Sequence, residues 1–123
     1  MKIKAAVLSK QGKKAPYSKT TPLTVEEVDL DSPGPGEVLI KTGAAGLCHS
    51  DLSMINGEMK RKVPMVPGHE AAGVVEEIGP NVTRCAQGDH VVMSFVPICG
   101  QCEFCITGRS NICITAFNAV GSA

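Results

Sequence analysis

Four cysteines fall in one short run, Cys99-x2-Cys102-x2-Cys105-x7-Cys113, and any fold this chain adopts must accommodate those thiols side by side. Gly100 and Gly108 interrupt the run, so the backbone can turn tightly enough for the four sulfurs to converge. Four thiolates at such spacing can close tetrahedrally on zinc, and a closed site of this kind is structural. Two other readings stay open on spacing alone. Paired disulfides would need an oxidising compartment, yet the sequence begins Met1-Lys2-Ile3-Lys4 and runs into an alternating stretch rather than a secretory apolar core. An iron–sulfur centre suits the first three cysteines, which match a ferredoxin run. The fourth, however, follows after seven residues rather than three, and Ile114 stands where proline is expected.

The remaining composition points to a mostly β fold. The 123 residues are enough for one compact domain, expected over 1–123. Such a domain buries roughly two-thirds of its unfolded surface. Thirteen Gly and eight Pro against one Tyr, three Phe and no Trp suggest short strands joined by turns, closing into a barrel around Val, Ile, Leu, Ala and Met. Lys plus Arg equal Asp plus Glu at 12 each, so the overall field points to neither nucleic acid nor an acidic membrane. No apolar run approaches the ~20 residues that span a bilayer, and a cytoplasmic location is the expectation.

Alternation and turn signals place strands over 2–8, 23–28, 37–42, 71–78 and 90–96. The segment 50–55 suits a short helix stopped by Asn56-Gly57, with Cys48 and His49 at its entrance. Cys48 and, about twenty residues on, His69 and Glu70 supply a thiolate, an imidazole and a carboxylate, all capable zinc ligands. Taken one at a time these residues fit a blander account too, in which Cys48 is buried packing and His69 an ordinary polar residue after a turn. Turn glycines beside each, and Asp51 as a carboxylate able to hold an imidazole nitrogen, favour the metal reading.

Gly46-Leu47-Cys48-His49-Ser50-Asp51, Gly68-His69-Glu70-x2-Gly73-x5-Gly79-x2-Val82 and the four-cysteine run occur in this order. Together they resemble the zinc-containing alcohol dehydrogenases of the medium-chain dehydrogenase family, over about residues 4–113. The resemblance implies a GroES-like β-barrel with short helices and a cysteine-rich lobe. It implies two zinc ions, one catalytic and one structural. The enzyme implied is a cytoplasmic homo-oligomer that transfers hydride between a small primary or secondary alcohol, or its aldehyde or ketone, and NAD or NADP. No nucleic-acid or membrane partner is implied.

Residue by residue, the resemblance assigns Cys48 and His69 to the catalytic zinc with Glu70 beside them, and Cys99, Cys102, Cys105 and Cys113 to the structural zinc. Ser50 would take the alcohol's proton, His49 would meet the coenzyme pyrophosphate, and Asp51 would support His69. Met59 and Phe95 fall at positions that line the substrate pocket in such enzymes; ordinary core is the competing reading. The sequence departs from the pattern at Ser53, where many relatives carry a relay histidine. It also contains no Gly-x-Gly-x-x-Gly turn, and the family's remaining zinc thiolate and coenzyme domain lie beyond Ala123 in its pattern. The expectation is therefore a zinc-binding portion, inactive alone. The alternatives are a non-catalytic zinc module or an iron–sulfur protein. Cys85 reads as a free thiol, His90 as structural, and Lys60-Arg61-Lys62 as a solvated basic loop that can attract an anion.

Overall fold

The computed structural model describes residues 1–116, and these divide after Met93 into two compact units, 1–93 and 94–116. In the first unit, strand β1 (Lys2–Val7) pairs antiparallel with β2 (Thr24–Asp29), Lys2 facing Asp29 and Val7 facing Thr24. Ala5 and Val7 turn inward while Lys2, Lys4 and Ala6 face water, so the alternation seen in the sequence becomes the two faces of the strand. A short helix, α1 (Tyr17–Thr20), lies in the connection between these strands.

The second sheet is β3 (Val38–Ala45), β4 (Ala71–Ile78) and β5 (His90–Val92), antiparallel throughout with β4 in the centre. Val75, 1 % exposed, anchors its packed side. The turn that returns the chain to β5 is tied to the same residue: Val75 N–H donates to the Asp89 carbonyl and Gly88 N–H donates to the Val75 carbonyl. Gly79, just after β4, has its backbone pressed against the Pro33–Gly34 turn. A side-chain carbon there would lie 1.9 Å from the Gly34 carbonyl oxygen, so no larger residue fits without moving backbone.

Among the described residues the ladders form a two-stranded and a three-stranded sheet, and no ladder joins them into a closed barrel. The mostly β character with few short helices is as expected. The fifth strand is shorter than the 90–96 expected. Met93 N–H donates to the carbonyl of Ala71, the first residue of β4, so beyond Met93 the antiparallel partner has run out.

Helix α2 (His49–Asn56) starts one residue before and ends one after the expected span. Asp51 in its first turn accepts a hydrogen bond from the Cys48 N–H at 3.1 Å, one half of a capping box, and Gly57 ends it in the left-handed conformation. The second unit holds α3 (Glu103–Ile106) and a 3-10 turn, Ser110–Ile112. Arg109 stacks over the Phe104 ring at 5.2 Å and its N–H donates to the Phe104 carbonyl, closing the loop that carries the cysteines. No helix among the described residues is long and apolar enough to cross a membrane.

Candidate metal centres

The second unit folds its four expected cysteines onto one point. Cys99 Sγ lies 4.0 Å from Cys105 Sγ, and Cys113 Sγ lies 3.7 Å from Cys99 Sγ and 3.9 Å from Cys102 Sγ. A single zinc with Zn–S bonds of about 2.3 Å needs sulfur–sulfur edges of about 3.8 Å, the edge of a tetrahedron on that radius. The set fits that ion. All four are free thiols, so disulfide pairing is not the explanation. A cluster of several irons would hold its thiolates farther apart than the edge of a one-ion tetrahedron.

The backbone prepares the sulfurs for charge. Cys102 N–H donates to Cys99 Sγ at 3.3 Å, and Cys99 N–H donates to Cys113 Sγ at 3.4 Å. The donation from Cys99, with another from Ala116, holds the Cys113 thiol down to about 6, although its side chain is completely buried. Backbone donors on Gln101 and Cys102 likewise lower Cys99. Burial pushes Cys105 the other way, up to about 11. Without metal the lobe is thus a mixed thiol–thiolate set in which Cys113 is the readiest anion and Cys105 must lose its proton on binding.

The first unit brings together the other expected group. Ligand atoms of Cys48, His69 and Glu70 lie within 4.8 Å of one another. Cys48 stands at the entrance to α2, and His69 and Glu70 immediately precede β4, so the cluster joins a helix start to a strand start. Gly46 N–H donates to the Glu70 carbonyl at 2.8 Å, and a side-chain carbon on Gly46 would meet the Glu70 carboxylate at 2.7 Å. The missing side chain at Gly46 is what lets the carboxylate lie beside the thiol.

Ser50 Oγ lies 3.3 Å from His69 Nε2, and Asp51 Oδ1 lies 3.5 Å from His69 Nδ1. Asp51 is 5 % exposed, and its Oδ1, shielded from water, makes no hydrogen bond. A buried carboxylate oxygen left so is costly unless its neighbour carries positive charge or is drawn closer. A cation on the imidazole's far side meets that need, so the donor set and the orphaned oxygen both fit a bound metal. Hydrogen bonds from the Ser50 hydroxyl, the Ser50 N–H and His69 lower the Cys48 thiol. The bond to Cys48, with Asp51 nearby, raises His69.

The other expected residues are dispersed. His49 is exposed on the first turn of α2. Ser53 Oγ donates to Glu58 at 3.3 Å, away from His69. A cavity of about 340 Å³ beside the cluster is lined by Asp51, Ile55, His69, Glu70 and Met93 among others, but not by Met59. Met59 instead wraps the end of α2, its N–H donating to the Ser53 carbonyl. Met93 was not anticipated; its place directly after β5 was the available signal. Phe95 belongs to the second unit, where it lines a cavity of about 350 Å³ with Phe104, Ile112 and Ile114. His90 is exposed at the start of β5, and Cys85 is a half-buried free thiol.

A β domain with a four-thiolate lobe and a separate thiolate–imidazole–carboxylate cluster defines a class of zinc-binding domain, and the comparisons give its family. Residues 34–123 match the alcohol dehydrogenase GroES-like domain. The chain belongs to that family. It is 55% identical over 113 residues to an NDMA-dependent alcohol dehydrogenase of Amycolatopsis methanolica, covering 92% of this chain and 28% of that protein. It is 42% identical over 122 residues to an S-(hydroxymethyl)glutathione dehydrogenase of Escherichia coli, covering 98% and 31%.

Among solved structures, benzyl alcohol dehydrogenase from Acinetobacter calcoaceticus superposes with a TM-score of 0.78 at 37% identity, covering 95% of this chain and 30% of that one. A cobalt- and zinc-bound thermostable alcohol dehydrogenase from Pyrobaculum aerophilum gives 0.78 at 38%, covering 94% and 33%. The chain thus spans about a third or less of the length of these relatives.

Proposed function

We propose that this chain is the zinc-binding catalytic portion of an NAD(P)-dependent alcohol dehydrogenase. The observation that carries the reading is the convergence of Cys48, His69 and Glu70 beside Ser50 and the shielded Asp51, in a chain of this family. Cys48 and His69, with Glu70 adjacent, would hold the catalytic zinc, and Cys99, Cys102, Cys105 and Cys113 the structural one. The catalytic ion would supply Lewis-acid polarisation of the substrate oxygen.

The chain's own residues do the rest. Asp51 orients the His69 ring through Nδ1 and balances its charge. Ser50, whose hydroxyl already reaches His69 Nε2, takes up the alcohol's proton as it releases its own to water. The apolar wall of the adjoining cavity, with Ile55, Ala71 and Met93, excludes water from the reacting oxygen. The hydride acceptor is NAD or NADP, which His49 on the exposed first turn of α2 would meet through the pyrophosphate. The substrate is a small alcohol or its aldehyde or ketone. The protein working this way is a cytoplasmic homo-oligomer with no nucleic-acid or membrane requirement. These 123 residues offer no dinucleotide turn of their own, so they do not turn over alcohol unaided.

The test is a chimera in which this chain replaces the matching segment of the Amycolatopsis methanolica enzyme. Zinc-dependent alcohol oxidation is expected, abolished by Cys48→Ser. A folded, zinc-loaded chimera without activity, or one in which Cys48→Ser turns over normally, would refute the reading.

A further inference from the structure

Seven of the chain's twelve Lys and Arg, but one of its twelve Asp and Glu, lie in just two segments, residues 9–23 and 57–66. Their local net charge is +6 in a chain whose total is zero. Thirty-three residues separate the two segments in sequence, yet the fold clasps them together. The Gln11 amide nitrogen donates to the Met54 carbonyl at 2.6 Å and the Met59 carbonyl at 2.9 Å, while its oxygen accepts from the Arg61 N–H at 3.0 Å.

Three further links fix the same pair of loops. Gly12 N–H donates to the Ile55 carbonyl, and a side-chain carbon on Gly57 would touch Gly12 at 3.4 Å. Leu8 and Met65 exchange backbone hydrogen bonds behind them. The Thr20 hydroxyl donates to the Lys14 carbonyl, drawing Lys19 on α1 toward the same loop. Lys10, Lys13, Lys14, Lys19, Lys60 and Lys62 are exposed, and none makes an ion pair among the described residues. Like charges held together without counterions repel one another. The rigid clasp therefore keeps in place a surface that chain electrostatics alone would spread apart.

We propose that the Gln11-clasped loops are a docking surface for an acidic segment of a partner protein, with Lys10, Lys13, Lys14, Lys60 and Lys62 meeting its carboxylates. Complementary charge accelerates encounter and fixes register, and a surface held rigid in advance loses less freedom on binding. Nucleic acid fits less well. The patch has a single Arg for bidentate phosphate contacts and, as its only aromatic, a half-buried Tyr17, so there is no platform for base stacking.

The experiment titrates the zinc-loaded protein with a fluorescent oligoglutamate peptide and, separately, an oligothymidylate of equal charge, at low and high salt. The peptide should bind and salt should weaken it. Neutralising Lys13, Lys14, Lys60 and Lys62 to Gln should weaken binding about tenfold or more, since each exposed pair is worth roughly two- to fivefold. Neutralising Lys2, Lys4 and Lys41, outside the patch, should change it little. Gln11→Leu keeps every charge but releases the clasp, and should also weaken binding. Unchanged zinc content and circular dichroism confirm that each variant is folded. No peptide binding, equal loss from both sets of lysines, an unaffected Gln11→Leu variant, or tighter binding of the oligothymidylate would each overturn the proposal.

Discussion

Cys113→Ser should empty the cysteine lobe of zinc and unfold it, while leaving the sheets of the first unit in place. Cys113 is the completely buried member of the four, with two sulfurs within 3.9 Å and the Cys99 N–H donating to it. Among the described residues little else holds this lobe: it has a four-residue helix, a 3-10 turn, a helical stretch at 114–116 and a small apolar cluster. Structural zinc sites contribute about 10–16 kcal/mol of apparent binding energy, and in such small lobes that energy is folding energy. Elemental analysis should find one zinc fewer per chain. Hydrogen exchange should rise from Ser94 onward and stay unchanged in β3 and β4. Acid should act in the same direction as the substitution, because protons compete for the thiolates. Cys113 lies depressed at about 6, so it holds its charge at neutral pH and loses it as pH falls through that value. A lobe that stays protected with Ser at 113, or that keeps its metal at about pH 4, would contradict this account.

In the chimeric enzyme, Ser50→Ala should lower kcat about 10²- to 10⁴-fold without changing zinc content, the range a positioned proton acceptor contributes. The hydroxyl lies 3.3 Å from His69 Nε2 and hydrogen-bonds toward Cys48, so it touches both ends of the cluster without being a strong ligand itself. Ser50→Thr keeps the hydroxyl and should retain most activity. A purely structural hydroxyl would instead show its loss in zinc content or stability, and Ser50→Ala would then alter those before kcat.

The two clusters of candidate metal ligands were legible in the sequence because the residue types and the turns that bring them together are local. The four cysteines lie close enough along the chain that almost any compact loop with Gly100 and Gly108 brings them together. Cys48, His69 and Glu70 stood beside turn glycines, and β4 matched its expected span because it is an apolar run closed by Gly79-Pro80. What the sequence hid depends on contacts between distant segments. The end of β5 at Val92 is set by where β4 begins, not by its own apolar residues, which continue to Val96. Met59 left the pocket because the clasp around Gln11 draws its carbonyl to the far end of α2. The same clasp concentrates the positive charge, which composition reported as a balance of zero. Reserving Gly46 to make room for the Glu70 carboxylate is likewise a tertiary fact, invisible until the two turns are packed.

The central claim is that this chain builds two chemically different zinc centres from seven named residues. Zinc-edge X-ray absorption on the fully loaded protein tests it directly, since sulfur and nitrogen or oxygen ligands differ in bond length by about 0.1–0.3 Å. Four sulfurs in the lobe and one at Cys48 predict an average of about 2.5 sulfurs per zinc at two ions per chain, rising to about four when Cys48→Ala and His69→Ala empty the second centre. A single all-sulfur ion in the unmodified protein, or iron in place of zinc, would contradict it.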